Sequence, residues 1–350
     1  MLLRSLITIY TLVKTYRMDA TLWVATIAIV FMNYVVFFDH SKSIFQPVNI
    51  EYTTTKNTSK TSIAPNKSDK KIAPKLLLSG NGLKTYDATT SQQVEQTFAY
   101  FSYHLSTLVK NKKTIPAIQP NRIPTDLGKL LDVKKRKDLF TSMMLPLALK
   151  INQDITAKRV KLLNVINVYK NTGEITPQQR LFIKHTILEF GGKEDWKIQK
   201  ALDNLWVRVN TLPVSLIIAQ GAVESGWGTS RFSIEGNALF GQWTWTKGKG
   251  IVPSVREKGK THSIKKFSSP YQSMRAYVDN INRNPAYERL RKLRMKLHAE
   301  NIDITGTKLA TTLDKYSQER EVYVNKLLDI ISSNKLEQYN HLQIEAYNIK

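Results

Sequence analysis

The chain has no cysteine in its 350 residues, which excludes disulfides, thiol nucleophiles and cysteine-held zinc or iron–sulfur centres. Histidine is also scarce, with six residues at positions 40, 104, 185, 262, 298 and 341. No HExxH pair places two of them on one helix face, so neither metal nor cofactor is expected. A serine-hydrolase elbow is missing as well, because Ser225 is preceded by Val223 where G-x-S-x-G needs glycine. Nor is there a phosphate-binding loop. Acidic residues are few, 28 against 52 lysines and arginines, for a formal net charge of +24. A field of that size attracts polyanions. Nucleic acid, anionic lipid and anionic cell-wall polymers all fit it, but the basic residues are spread without a recognition-helix pattern, so no nucleic-acid partner is expected.

What is present begins with an uncharged run from 20 to 38, ATLWVATIAIVFMNYVVFF, interrupted by Asn33. A bilayer-spanning helix needs about 20 apolar residues. Arg4, Lys14 and Arg17 precede it and Asp39 follows, a bias that leaves the N-terminus in the cytoplasm and the bulk of the chain outside. No small-residue cleavage site follows Phe38, so the run reads as an uncleaved anchor. From 51 to 75 the chain is rich in threonine, serine and lysine. Such a stretch cannot bury enough apolar surface to fold and reads as a tether.

Residues 76–131 are of mixed character, with a helix expected over 92–110 and a proline-punctuated stretch after it. Long helical periods begin after Asp132, where Leu139, Met143, Leu147 and Ile151 recur and Pro146 offers a kink. Thr176-Pro177-Gln178-Gln179 supplies a cap hydroxyl, a first-turn proline and a capping-box glutamine, so a helix starts there and stops at Gly191-Gly192. Further helices are predicted over 213–225 and 320–332. Between 243 and 268, glycines, lysines and alternating Val and Ile suggest a small β-hairpin. The fold class is mainly α with a minor β part.

The segment from 215 to 243, SLIIAQGAVESGWGTSRFSIEGNALFGQW, is the most informative. Ile217, Ile218, Gly221 and Ala222 pack one helix face, leaving Glu224 near the C-terminal end beside Val223 and Trp227. The negative end of a helix dipole and apolar neighbours push a carboxylate toward its neutral form. A neutral carboxylic acid is what protonates a leaving oxygen in glycoside cleavage. Trp227 is either an aromatic wall for a sugar ring or a core anchor, and Glu224 taken alone reads more readily as a solvated helix end.

The run from Ala219 through Glu224-Ser225-Gly226-Trp227-Gly228 to Phe232, followed by Glu235-Gly236-Asn237-Ala238-Leu239-Phe240-Gly241, closely resembles the signature of bacterial glucosaminidase domains. The resemblance continues through Phe267-Ser268-Ser269-Pro270, Asn284-Pro285-Ala286-Tyr287 and Leu313-Asp314-Lys315-Tyr316-Ser317 to Tyr323. The helical stretch from 134 to 152, and Phe240-Gly241-Gln242-Trp243 leading to Pro253, resemble the Bax-like subgroup. Ala238 stands where asparagine is common and Gly221 where alanine is.

The resemblance implies a lysozyme-like helical domain with a small β-lobe, a glycosidase acting on peptidoglycan glycan strands as an endo-β-N-acetylglucosaminidase, and Glu224 as its acid. It also implies a cleft role for Tyr316 and Tyr323, which share a helix face if one helix runs through both and are otherwise core residues. A second carboxylate is expected on the β-lobe, where Glu257 is the acid between 243 and 268; its alternative is a solvated hairpin position. Trp227, Asn237, Phe240, Gln242, Trp243 and Trp245 are the candidate sugar contacts. The lobe lysines and Arg256 either attract anionic stem peptides or form a solvated face. The expected organisation is a cytoplasmic segment 1–19, a membrane anchor 20–38, a basic linker 39–75, a membrane-proximal region 76–130, a glucosaminidase domain 131–335 and a tail 336–350. The catalytic domain is then extracytoplasmic. The competing reading is a non-catalytic glycan-binding or envelope scaffold protein on the same fold.

Overall fold

The computed structural model describes residues 73–111, 114–193, 195–246, 248–253 and 263–345. The chain divides after Lys67, and all of these residues belong to the second unit. Among them no helix is long and apolar enough to cross a membrane. The apolar run 20–38 and most of the linker lie outside the described residues, as does Glu257.

The fold is mainly helical with two small sheets. The first sheet joins β1 (Leu76–Leu78), β2 (Lys84–Tyr86) and β3 (Ile118–Pro120), with β1 antiparallel and β3 parallel to β2. The helix expected over 92–110 is two helices, α1 (Ser91–Tyr100) and α2 (Leu105–Asn111). Between them Ser102 turns left-handed at φ 51° and Tyr103 enters the core. That break has a use in the next helix, α3 (Val133–Thr172), which continues past Pro146. Proline has no N–H to give the carbonyl of Ser142, and the Tyr103 hydroxyl takes that place at 3.0 Å. Every residue from Leu139 to Leu149 is buried, so α3 forms a central axis rather than an amphipathic flank.

Around it lie α4 (Pro177–Phe190), opened by the Thr176–Gln179 capping box, and α5 (Ile198–Arg208). The second central helix is α6 (Val214–Ser225), followed by the short α7 (Arg231–Gly236). The remaining helices are α8 (Pro270–Arg283), α9 (Glu288–Ala299), α10 (Gly306–Ala310) and α11 (Glu321–Ser333). The expected hairpin is a three-stranded antiparallel sheet, β4 (Trp243–Thr244), β5 (Gly250–Ile251) and β6 (Ser263–Lys265), with β6 in the middle. The reason is Ile264: it pairs with both Trp243 and Ile251 and buries its side chain.

Residues 76–130, expected as a separate membrane-proximal region, share the core of the helical body, with Leu83, Tyr86, Ile118 and Leu127 buried in it. The segment after 335 joins it too. Leu336 and Tyr339 are buried, and Ile344 bridges Ile115. Part of the positive charge is internal. Arg294 is fully buried and donates to the carbonyls of Val207, Asn210 and Thr211, while Arg159 donates to those of Trp206 and Val209. These carbonyls lie at the negative end of α5, which is what makes buried guanidinium groups tolerable there. Burial pulls Arg294 down to about 9.

Candidate active site

Helix α6 ends where its sequence requires. Gly226 caps it in the left-handed conformation, and Trp227 and Gly228 follow at φ 59° and 79°. At Gly228 a Cβ would stand 3.0 Å from Leu127 and 3.1 Å from Phe140, so only glycine lets this turn lie against the core. Ser225 locks the turn: its buried hydroxyl donates to the carbonyl of Gly221 at 2.5 Å and accepts from the N–H of Gly228 at 2.8 Å. Both bonds are structural, which leaves that hydroxyl no role as a nucleophile.

Glu224 precedes this lock, partly buried. Gly241 passes in front of it, and a Cβ there would come within 3.8 Å of the carboxyl Oε2. Burial raises the Glu224 carboxyl above its ordinary value, the Tyr323 hydroxyl opposes this by hydrogen bonding to the carboxylate, and the negative charge of Glu319 adds to the rise. One turn back on the same helix, Gln220 is fully buried. Its Nε2 donates to the Tyr323 hydroxyl at 2.9 Å, and its Oε1 accepts from the Tyr277 hydroxyl.

Tyrosine rings enclose this polar thread. Tyr316 stacks on Tyr323 and contacts Tyr287 at 5.8 Å, while Tyr277 stacks on Phe240 at 4.1 Å. Burial raises the hydroxyls of Tyr277, Tyr316 and Tyr323, with the charge of Glu224 adding to each, so all three stay protonated donors.

Of the expected site residues, the structure brings Glu224, Tyr316 and Tyr323 together. Tyr316 lies in the turn before α11, so no single helix carries both tyrosines; stacking joins them instead. Trp227 sits edge-on to Phe140 with the Lys137 ammonium 5.1 Å above its ring, tying α3 to the helix end. Two expected sugar contacts also serve the packing of the fold. Phe240 is buried beneath Tyr277. Asn237 has its amide occupied by backbone, accepting from the Ile123 N–H at 3.3 Å and donating to the Phe267 carbonyl at 3.2 Å.

Gln242 donates to the Ser273 carbonyl at 3.3 Å, and its Oε1 has no hydrogen-bond partner. Trp243 and Trp245 stand out from the lobe at 58% and 70% exposure, their rings edge to face. With Lys249, Lys265 and Lys266 they line an open hollow of about 630 Å³. Among the described residues no group of three His, Asp or Glu could hold a metal ion. Gln220 and Tyr277 both fall within the stretch that carries the family resemblance, but the sequence assigned neither a role. The available signal for Gln220 was a long amide inside an otherwise apolar helix, four residues before Glu224.

A partly buried carboxyl raised above its ordinary value, beside a lobe with two exposed tryptophans, suits the breaking of bonds between sugars, and the class is that of the glycoside hydrolases. Residues 199–336 match the family described as Glucosaminidase, mannosyl-glycoprotein endo-beta-N-acetylglucosaminidase. Protein bax of Escherichia coli (strain K12) is 31% identical over 211 residues, 60% of this chain and 74% of that protein. Exo-glucosaminidase LytG of Bacillus subtilis (strain 168) is 27% identical over 219 residues, 60% of this chain and 69% of that protein. The catalytic domain of the Listeria monocytogenes autolysin Auto aligns with 49% of this chain and 94% of its own length, at 22% identity and a TM-score of 0.30. The chain belongs to the glucosaminidase family, in its Bax-like subgroup.

Proposed function

We propose that this protein is a peptidoglycan hydrolase that cleaves glycan strands as an endo-β-N-acetylglucosaminidase, with Glu224 as general acid. The observation that carries the reading is the environment of that carboxyl, which burial holds above its ordinary range. Glu224 gives its proton to the bridging oxygen as the C–O bond at the sugar breaks. A water then supplies hydroxide to the anomeric carbon, and its proton restores the acid. Trp243 and Trp245 offer stacking faces to neighbouring sugars, and the lysines beside them suit the carboxylates of stem peptides. The helical body with its small lobe fits a lysozyme-like arrangement.

Membership of the glucosaminidase family and the exo-glucosaminidase relative support a glycan that contains N-acetylglucosamine as substrate. The apolar run 20–38 with its basic flank supports a single membrane anchor, the following domain being extracytoplasmic. A phosphatase active only outside the cytoplasm, fused after Lys350, reports that orientation; an inactive fusion reverses it.

The deciding experiment is turnover of purified peptidoglycan with mass analysis of the products. New reducing ends on N-acetylglucosamine are expected, and reducing ends on N-acetylmuramic acid would replace this specificity with a muramidase one. Glu224→Gln keeps the shape without the acidic proton, and its turnover is expected to fall by about 10²–10⁴. A folded Glu224→Gln protein with near-normal turnover would overturn the assignment. Glu257→Gln beside it sorts the routes: a comparable loss marks a second carboxylate, a mild effect a substrate-assisted reaction.

A further inference from the structure

Gln220 has a fixed orientation with a consequence for the acid. Its carbonyl oxygen accepts from Tyr277, so its amide nitrogen faces Tyr323 and donates to that hydroxyl oxygen at 2.9 Å. An N–H aimed at the oxygen of Tyr323 leaves the hydroxyl's own proton nowhere to go on that side. The Glu224 carboxyl, one helical turn beyond Gln220 on the same helix, accepts from that hydroxyl. Tyr277 is itself held by its stack on Phe240, at 4.1 Å and 9° between planes, and that stack lies against Gly221.

We propose that Tyr277 and Gln220 are positioning residues, which act through Tyr323 by locking its hydroxyl as a donor to Glu224. Neither touches the reacting atoms. The bond they enforce is weak while Glu224 is a neutral acid and becomes charge-assisted once the proton has left for the glycosidic oxygen. It therefore stabilises the transition state more than the ground state, which is the kind of interaction that raises kcat. The same bond favours the ionised carboxylate and opposes the effect of burial, so the relay tempers the acid.

The role of the relay in catalysis rests on the proposed identity of Glu224 as the acid, but its geometry does not, and the test separates the two. Tyr277→Phe keeps the ring stack and removes one hydroxyl. Deprived of that donor, the Gln220 amide reverses, and Tyr323 then donates to the Gln220 carbonyl instead of to Glu224. Selective carbon-13 labelling of glutamate carboxyls in the full chain, with Glu224→Gln to assign the signal, follows the titration of Glu224 without any substrate.

Tyr277→Phe and Tyr323→Phe are each expected to shift that titration to higher pH, and the double variant no further than Tyr323→Phe alone. With soluble glycan fragments, the alkaline limb of the rate profile moves up in step. kcat falls about three- to tenfold, the size of one lost hydrogen bond, at unchanged KM. Gln220→Met removes both links and the competing carbonyl together, so Tyr323 keeps Glu224 as its acceptor and the titration is expected to stay near that of the unaltered chain. An unmoved Glu224 signal in a folded Tyr277→Phe protein, a shift in Gln220→Met as large as that of Tyr323→Phe, or additive shifts in the double variant, would overturn the relay. Absence of turnover by the unaltered chain would instead remove the proposed function and leave the titration result standing.

Discussion

Tyr316 lies flat on Tyr323, ring centroids 5.3 Å apart and planes 9° from parallel, although one residue belongs to a turn and the other to a helix. Tyr316 is the more exposed face of the pair. Tyr316→Phe preserves the stack and isolates the hydroxyl. Turnover is expected to fall about tenfold, as for a polar contact to a reacting sugar, with the unfolding midpoint unchanged. Wild-type activity in Tyr316→Phe would reduce the residue to a packing surface for Tyr323.

The raised Glu224 carboxyl also has a stability signature. Between its ordinary value of 4.5 and the raised one, the folded protein holds a proton that the unfolded chain has released, so stability falls as pH rises through that window. Glu224→Gln removes the group. The variant is expected to match the wild type below pH 4.5 and to exceed it increasingly above. Denaturant midpoints measured across the pH range check this, and a gain that persists at low pH would contradict it.

The two exposed tryptophans should act on binding and not on the chemical step. Trp243→Ala and Trp245→Ala are each expected to raise KM about three- to tenfold with kcat nearly constant, the size of one lost ring-stacking contact. Steady-state rates on soluble fragments separate the parameters. A fall in kcat at constant KM would place these rings at the reacting bond.

Arg294 gives a prediction away from the site. Arg294→Lys cannot reach the Val207, Asn210 and Thr211 carbonyls together, and the cost is expected to be about 2–4 kcal/mol in unfolding free energy. Chemical denaturation measures it. A neutral outcome would show that one ammonium satisfies the end of α5 as well as a guanidinium fork.

Local signals carried much of this fold. The Thr176 capping box opens α4, the helix predicted over 213–225 spans Val214–Ser225, and Glu224 was placed at its C-terminal end from glycine punctuation alone. What stayed hidden depends on partners far away in sequence. The hydroxyl that serves the Ser142 carbonyl freed by Pro146 comes from Tyr103, 39 residues away. Asn237 and Phe240 belong to the same motif string as Glu224, yet one amide is occupied by loop backbone and one ring by a tyrosine, which no spacing rule reports. Gln220 is polar on an apolar face, and only the positions of Tyr277 and Tyr323 give it a task.

The pairing of Ile115 with Ile344 sets the size of the unit that folds. Ile115 donates to the carbonyl of Gln343 and accepts from the N–H of Glu345, both at 2.8 Å, so the last described residues are sewn to the loop that leads into β3. The family match runs only from 199 to 336. A fragment cut at those borders would lose this seam, the whole of α3, and the Leu127 and Phe140 side chains that close over Gly228, four residues after Glu224. The family match is thus smaller than the folding unit: Glu224 lies within it, but the side chains that close over Gly228 come from before residue 199.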